Sequence, residues 1–120
     1  MADRRSLGRQ GEDWAAQHLQ DAGFTILARN WRCPAGEVDI VARSGDILVL
    51  VEVKARANRA FGLPEESITP AKRRRLIDCG QYLLAELRWA GPWRIDVVAI
   101  EASAGGEPRR VTHLAGAIEE

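Results

Sequence analysis

The chain carries no net charge: 17 basic and 17 acidic residues cancel over 120 positions. Any attraction to a polyanion must therefore come from local patches rather than from the bulk field. Lysine is almost missing. Only Lys54 and Lys72 occur, and every other basic residue is arginine, a bias of the kind genome composition imposes. Cysteine is limited to Cys33 and Cys79, far apart and without the paired spacing of a zinc or redox site. No apolar run is long enough to span a membrane, and Arg4-Arg5 leads into polar sequence rather than the apolar core of a signal peptide. A reducing cytosol is the expected compartment. His18 and His113 have no partner at ligand spacing and read as structural. Neither a Ser-His-Asp or Cys-His arrangement nor a phosphate-cradling glycine loop is discernible.

What is present fits one soluble domain over residues 1–120, with 46% hydrophobic and 28% charged residues. Leu7, Gly11, Trp14, Ala15, Leu19 and Ala22 fall on one stripe, predicting a helix over 7–22 with Ser6 as N-cap and Gly23 at its end. A strand is expected over 24–31. Two valine- and isoleucine-rich runs then flank Ser44-Gly45-Asp46, a hairpin signal. Residues 55–68 read as a loop. Thr69-Pro70 is a helix start, with threonine as N-cap and proline in the first turn, and Leu76, Ile77, Gly80, Leu83, Leu84 and Leu87 line its apolar face. Strands are expected over 94–101 and 109–114. Trp31, Trp89 and Trp93 read as packing residues. The order αβββαββ implies an α/β fold, a mixed central sheet flanked by two main helices.

The hairpin carries the chemistry. A two-residue loop at Gly45-Asp46 sets Arg43 against Leu48, Val41 against Leu50, Asp39 against Glu52 and Glu37 against Lys54. Strand alternation puts Glu37, Asp39, Glu52 and Lys54 on one face, with Val38, Ile40, Ala42, Val49, Val51 and Val53 on the other. Like charges directly opposed across an antiparallel pair are destabilising. Asp39 against Glu52 is a local defect unless a cation sits between them, and Mg²⁺ accepts such carboxylates while keeping several waters. The bland alternative is an acid-lysine ladder on a solvated face; Val41 and Leu50 on that face argue for cover.

Three further groups bear on this site. Glu12 either points into the sheet and completes the acidic cluster or is a first-turn glutamate favoured by the helix dipole; the residues alone leave both open. Lys72, Arg73, Arg74 and Arg75 crowd positive charge into a first helical turn, against the macrodipole. Contact with a nucleic-acid backbone explains that position, and Arg56 and Arg59 extend the patch. Asp96, in an apolar strand, reads as a buried salt bridge to an arginine, with a metal role second. Gln81 is ambiguous.

An acid on the first helix, an Asp on one strand and Glu-x-Lys on the next resemble the restriction-endonuclease-like PD-(D/E)xK superfamily. More closely, Gly8-Arg9-Gln10-Gly11-Glu12, Gly36-Glu37-Val38-Asp39-Ile40, Val51-Glu52-Val53-Lys54, Phe61-Gly62, the Lys72 helix and Arg94-Ile95-Asp96-Val97-Val98-Ala99 resemble the bacterial YraN family, which is related to archaeal-type Holliday junction resolvases. The usual proline is absent, Val38 standing before Asp39. The resemblance implies a restriction-endonuclease-like fold and metal ligation by Asp39, Glu52 and the Val53 carbonyl. It also implies Lys54 as the catalytic lysine and Glu12 as the helix acid, which settles Glu12 toward function. The expected activity is a Mg²⁺- or Mn²⁺-dependent endonuclease on branched or structured DNA, acting as a homodimer if it cuts two strands. The alternative is a nucleic-acid-binding module that keeps the fold without useful turnover.

Overall fold

The computed structural model describes residues 4–57, 62–103 and 107–119. Helix α1 (Arg4–Asp21) leads into strands β1 (Thr25–Cys33), β2 (Gly36–Ser44) and β3 (Ile47–Arg56). A 3₁₀ turn (Pro64–Ser67), helix α2 (Pro70–Leu87) and strands β4 (Trp93–Ala102) and β5 (Pro108–Ile118) complete the chain. The sheet runs β1-β2-β3-β4-β5, antiparallel except for the β3–β4 pair, which is parallel. The expected mixed sheet with two main helices is the observed fold, and it is compatible with a restriction-endonuclease-like architecture.

Each helix covers one face of the sheet, and strand alternation sorts the core accordingly. Ile40, Ala42, Val49, Val51, Val98 and Ile100 pack with Ala15, Ala16 and Leu19 of α1. Val41, Leu48, Leu50, Ile95 and Val97 pack with Leu76, Ile77, Cys79 and Leu83 of α2. Helix α2 starts as expected: Thr69 is extended, its hydroxyl accepts from the Lys72 backbone N–H at 3.2 Å, and Pro70 follows in the first turn. The hairpin loop also holds, with Gly45 at φ +60°, the positive φ that the first central position of a II′ turn requires.

Several boundaries differ from the sequence reading. Helix α1 begins at Arg4, so Ser6 lies inside it rather than capping it, and Glu12 sits in mid-helix. Strand β5 is longer than expected because it pairs with β4 over most of its length, down to Ile95↔Ile118. The two cysteines are not apart in space: the Cys33 thiol at the end of β1 meets Cys79 of α2 with sulfurs 3.5 Å apart. Burial and that contact push the Cys79 thiol up to about 12. The histidines are not isolated either, since the His18 and His113 rings meet edge-on with centroids 5.6 Å apart.

The largest departure lies in β2. The register runs as expected from Ser44↔Ile47 to Ile40↔Val51 and stops there. On the other side, β1 pairs through Arg29↔Ile40 and Trp31↔Val38, and between those pairs Asn30 adopts φ +53°. Asparagine tolerates this left-handed conformation better than most residues. The reversal costs both strands one alternation. Ala28 and Trp31 share a cluster although three residues apart, and so do Val41 and Val38. Val38 therefore joins the α2 face, not the face of Ile40 expected from simple alternation. Asp39, at the kink, belongs to neither face.

Candidate active site

At this kink the expected direct opposition of Asp39 and Glu52 gives way to another arrangement. With β2 and β3 no longer paired, Asp39 turns its carboxylate toward β3, and Oδ2 accepts the Val53 backbone N–H at 2.8 Å. A side chain thus takes over a ladder position from a main-chain carbonyl. Glu52, the next residue back along β3, is only 6% exposed. Its Oε1 lies 3.3 Å from Lys54 Nζ. Glu52 and Lys54 share the α2 face with Leu50, as alternation along β3 requires.

Glu12 arrives from the other helix. Gly11, beside it, is buried against β3: a Cβ there would stand 2.8 Å from the Ala55 Cβ. The missing side chain lets α1 close on β3 and carries Glu12 within electrostatic reach of Asp39. Its mid-helix position removes the helix-dipole explanation, which holds only in the first turn. Arg29 Nη2 lies 3.5 Å from Glu12 Oε1 and 2.8 Å from Asp13. Glu12 Oε1 is nevertheless buried with no hydrogen-bond donor.

The electrostatics follow. Burial first, then the Glu52 charge and more weakly that of Glu12, raise the Asp39 carboxyl to about 7 against the opposing pull of the Val53 N–H and Lys54. A carboxyl disfavoured by its own neighbours marks a candidate functional group. Among the described residues, no three acidic, histidine or cysteine side chains converge on a ready-made metal cage. The donors still suit a hard cation. They are carboxylate oxygens, one of them held only by a long ion pair to Arg29, and Mg²⁺ is bound through one or two carboxylates with water and substrate phosphate filling the rest.

The basic run of α2 divides. Arg73 and Arg74 are exposed, and Arg74 reaches Asp78 one turn on at 3.4 Å. Arg75 turns inward over Gly36, where a Cβ would come within 2.7 Å of its Cδ, and its Nε is buried without a partner. Lys72 is partly buried and close enough to Lys54 for that charge to draw its amine below the ordinary lysine range. Arg56 is exposed at the end of β3, and Arg59 lies outside the described residues. Glu37 faces Arg32 at 3.9 Å, not Lys54. Asp96 is the buried salt bridge expected, bound to Arg94 at 2.9 Å and also to His113 at 2.8 Å.

The structure thus brings together Asp39, Glu52, Val53, Lys54 and Glu12 and leaves Arg56, Arg73 and Arg74 on the outside. Lys72, read from the sequence as part of the outer patch, lies within electrostatic range of Lys54.

Comparison with known proteins gives a consistent result. The family described as Uncharacterised protein family UPF0102 matches residues 11–100, a span that holds every candidate site residue and stops before β5. A UPF0102 protein of Roseiflexus castenholzii is 47% identical over 123 residues, covering 100% of this chain and 99% of its own length. UPF0102 proteins of Clavibacter michiganensis subsp. michiganensis (46% identical, 90% and 92% covered) and Pseudomonas aeruginosa strain LESB58 (43% identical, 99% and 99%) are similarly matched.

Proposed function

The chain belongs to the UPF0102 family, and on that premise we propose that it is a metal-dependent DNA endonuclease of the PD-(D/E)xK type. Its substrate class is branched or structured DNA, and its setting is the cytoplasm. The observation that carries this reading is Asp39, a carboxyl held at about 7 by burial and by Glu52 and Glu12, in a gap between strands that ends beside a lysine. A purely structural acid would have been matched with donors.

Asp39, Glu52 and the Val53 carbonyl would hold Mg²⁺ or Mn²⁺, and Glu12, within electrostatic reach of Asp39, would add a further carboxylate. When bound, the ion lowers the pKa of a coordinated water and offsets charge developing on the phosphate. The chain's own groups do the rest. The Val53 N–H fixes the rotamer of Asp39, so the carboxylate is placed before substrate arrives. Glu52 holds the Lys54 ammonium, which orients the attacking water against the scissile phosphate. Glu12, its buried oxygen met only by the long Arg29 ion pair, accepts a proton or a water hydrogen at the same point. Arg56, Arg73 and Arg74 grip the flanking backbone, and a homodimer would present two such sites to the two strands of a junction.

The direct test is incubation of the purified protein with Mg²⁺ or Mn²⁺ and synthetic four-way junction, single-stranded and duplex DNA. Cleavage lost in Asp39→Asn and Lys54→Ala is the expected result. Salt-dependent binding that survives Lys54→Ala, with no cleavage of any substrate, would instead identify a binding module.

A further inference from the structure

The chain has two cysteines, and the fold brings them into contact. Cys33 closes β1 and Cys79 lies in the middle of α2, 46 positions apart in sequence. The Cys33 thiol donates to the Cys79 sulfur at 3.5 Å. Both are free thiols; Cys33 is half-buried and Cys79 is sealed in the core. A buried cysteine alone is ordinary, because the residue packs as a small hydrophobe. A second cysteine from a different element, touching it and partly open to solvent, is not explained by packing.

The place of contact matters. Cys33 pairs with Gly36 across the turn between β1 and β2. Gly36 lies under Arg75, and Arg75 and Cys79 stand four residues apart on one face of α2. Two successive turns of the helix therefore rest on this one turn of the sheet. Cys33 is also the last residue of an edge strand, next to the Pro34-Ala35 turn. A strand end of this kind can give by the roughly 1.5 Å that the sulfurs must close in order to bond. A bond there would enclose β2, β3 and the first half of α2 in one covalent loop. With only two cysteines in the chain, neither has a competing internal partner.

We propose that Cys33 and Cys79 are an oxidant-responsive thiol pair that closes into a disulfide and locks α2 to the β1–β2 turn. A hydroperoxide is the class of oxidant. Cys33, partly open to solvent, reacts first. Its thiolate sulfur bonds one peroxide oxygen, the O–O bond breaks, and the departing hydroxide takes up the thiol's proton as water. Burial and the Cys33 contact hold the Cys79 thiol up at about 12, so it keeps its proton through that step. Its sulfur then attacks the Cys33 sulfenic acid. The S–S bond forms, the S–O bond breaks, and the second hydroxide leaves with the Cys79 proton. Two thiols and one peroxide thus give one disulfide and two waters. In a reducing compartment the dithiol is the resting form, and exchange with a small thiol restores it. The lock stands independently of the phosphodiesterase reading.

The test exposes the full reduced chain to hydrogen peroxide and reads the product by mass spectrometry without reductant. A monomer with no free thiol is expected, carrying a peptide pair joined at Cys33 and Cys79 and returned to the dithiol by dithiothreitol. Closing so long a loop should raise Tm by roughly 10 °C. Hydrogen exchange should slow by roughly tenfold in α2 and over residues 34–38, and less in β4 and β5. The order of attack is read in two variants. In Cys79→Ala, dimedone should trap a sulfenic acid on Cys33. In Cys33→Ser, the buried Cys79 should resist both peroxide and dimedone, and the rise in Tm should vanish. Cys33→Ser alters a strand end and leaves the core intact, so it carries the test where Cys79→Ala does not fold. Dimers linked through Cys33 in place of the internal bond overturn the lock. So does an internal bond that leaves Tm and the exchange of α2 unchanged. None of these readouts requires cleavage, so the lock and the nuclease fail separately.

Discussion

Asp39 and Asp96 are both aspartates set into strands of one sheet, and their surroundings are opposite. Asp96 is completely buried, yet its carboxylate is fully engaged. Oδ1 accepts from Arg94 Nε at 2.9 Å and the Gly116 N–H at 2.8 Å, while Oδ2 meets Arg94 Nη2 at 3.3 Å and His113 Nε2 at 2.8 Å. Asp39 is less buried and worse served. One backbone N–H binds it, and two acids crowd it. Depth therefore does not separate an acid matched with partners from the acid proposed to do chemistry. The balance of charge and donors around it does.

The most severe way to probe this contrast is Asp96→Ala. It strands Arg94 and the Gly116 N–H beneath the sheet and should cost about 3–5 kcal/mol, the usual penalty for breaking a buried pair. Urea unfolding at pH 7 measures it, and a loss under 1 kcal/mol would erase the distinction between the two sites. Asp39→Asn should move the other way, keeping the acceptor for Val53 and removing the repulsion. A gain on the order of 2 kcal/mol at pH 8 without metal is expected.

The pH dependence carries the sign. The folded-state pKa of Asp39, about 7, lies above its unfolded value of 3.8, so the native state binds the extra proton. Stability is greatest below about pH 4 on this account and falls as pH rises toward 7. Asp39→Asn should flatten that slope. Added Mn²⁺ should reverse it, because metal binds the ionised form. At 100 times Kd the ion contributes about 2.7 kcal/mol, visible as a higher Tm at pH 8 and a smaller one at pH 5.5.

Gly11→Ala tests how Glu12 reaches the site. The added methyl overlaps Ala55 on the rigid central strand, so α1 must lift, at about 1–3 kcal/mol; metal affinity should fall with it. Glu37→Ala gives the smallest effect. Its 3.9 Å contact with Arg32 is a surface pair worth under about 1 kcal/mol, and cleavage and metal titration should both match the wild type.

Much of this was legible in the chain. Valine- and isoleucine-rich runs around Gly45 gave the hairpin and its register as far as Ile40↔Val51, and Thr69-Pro70 gave the start of α2. Asp39, Glu52 and Lys54 stood out because a charged group in an apolar strand needs a reason. What escaped depends on tertiary geometry. Asparagine permits a left-handed Asn30 but does not require it, so the lost alternation, the flipped Val38 and the open gap at Asp39 could not be read from period-two patterning. The meeting of Cys33 with Cys79 and the nearness of Lys72 to Lys54 depend on how α2 lies across the sheet, which spacing along the chain does not encode.

The Val53 N–H gives the site a built-in reporter. A strand amide in an ordinary ladder exchanges with solvent when the sheet opens; this one is held by a side-chain carboxylate. Its nitrogen and proton shifts should follow the charge on Asp39 through its titration and move again when that carboxylate engages a cation. A single backbone resonance in the unmodified protein can therefore follow pH at Asp39 and test the proposed engagement of metal and substrate there, with no substitution and no turnover.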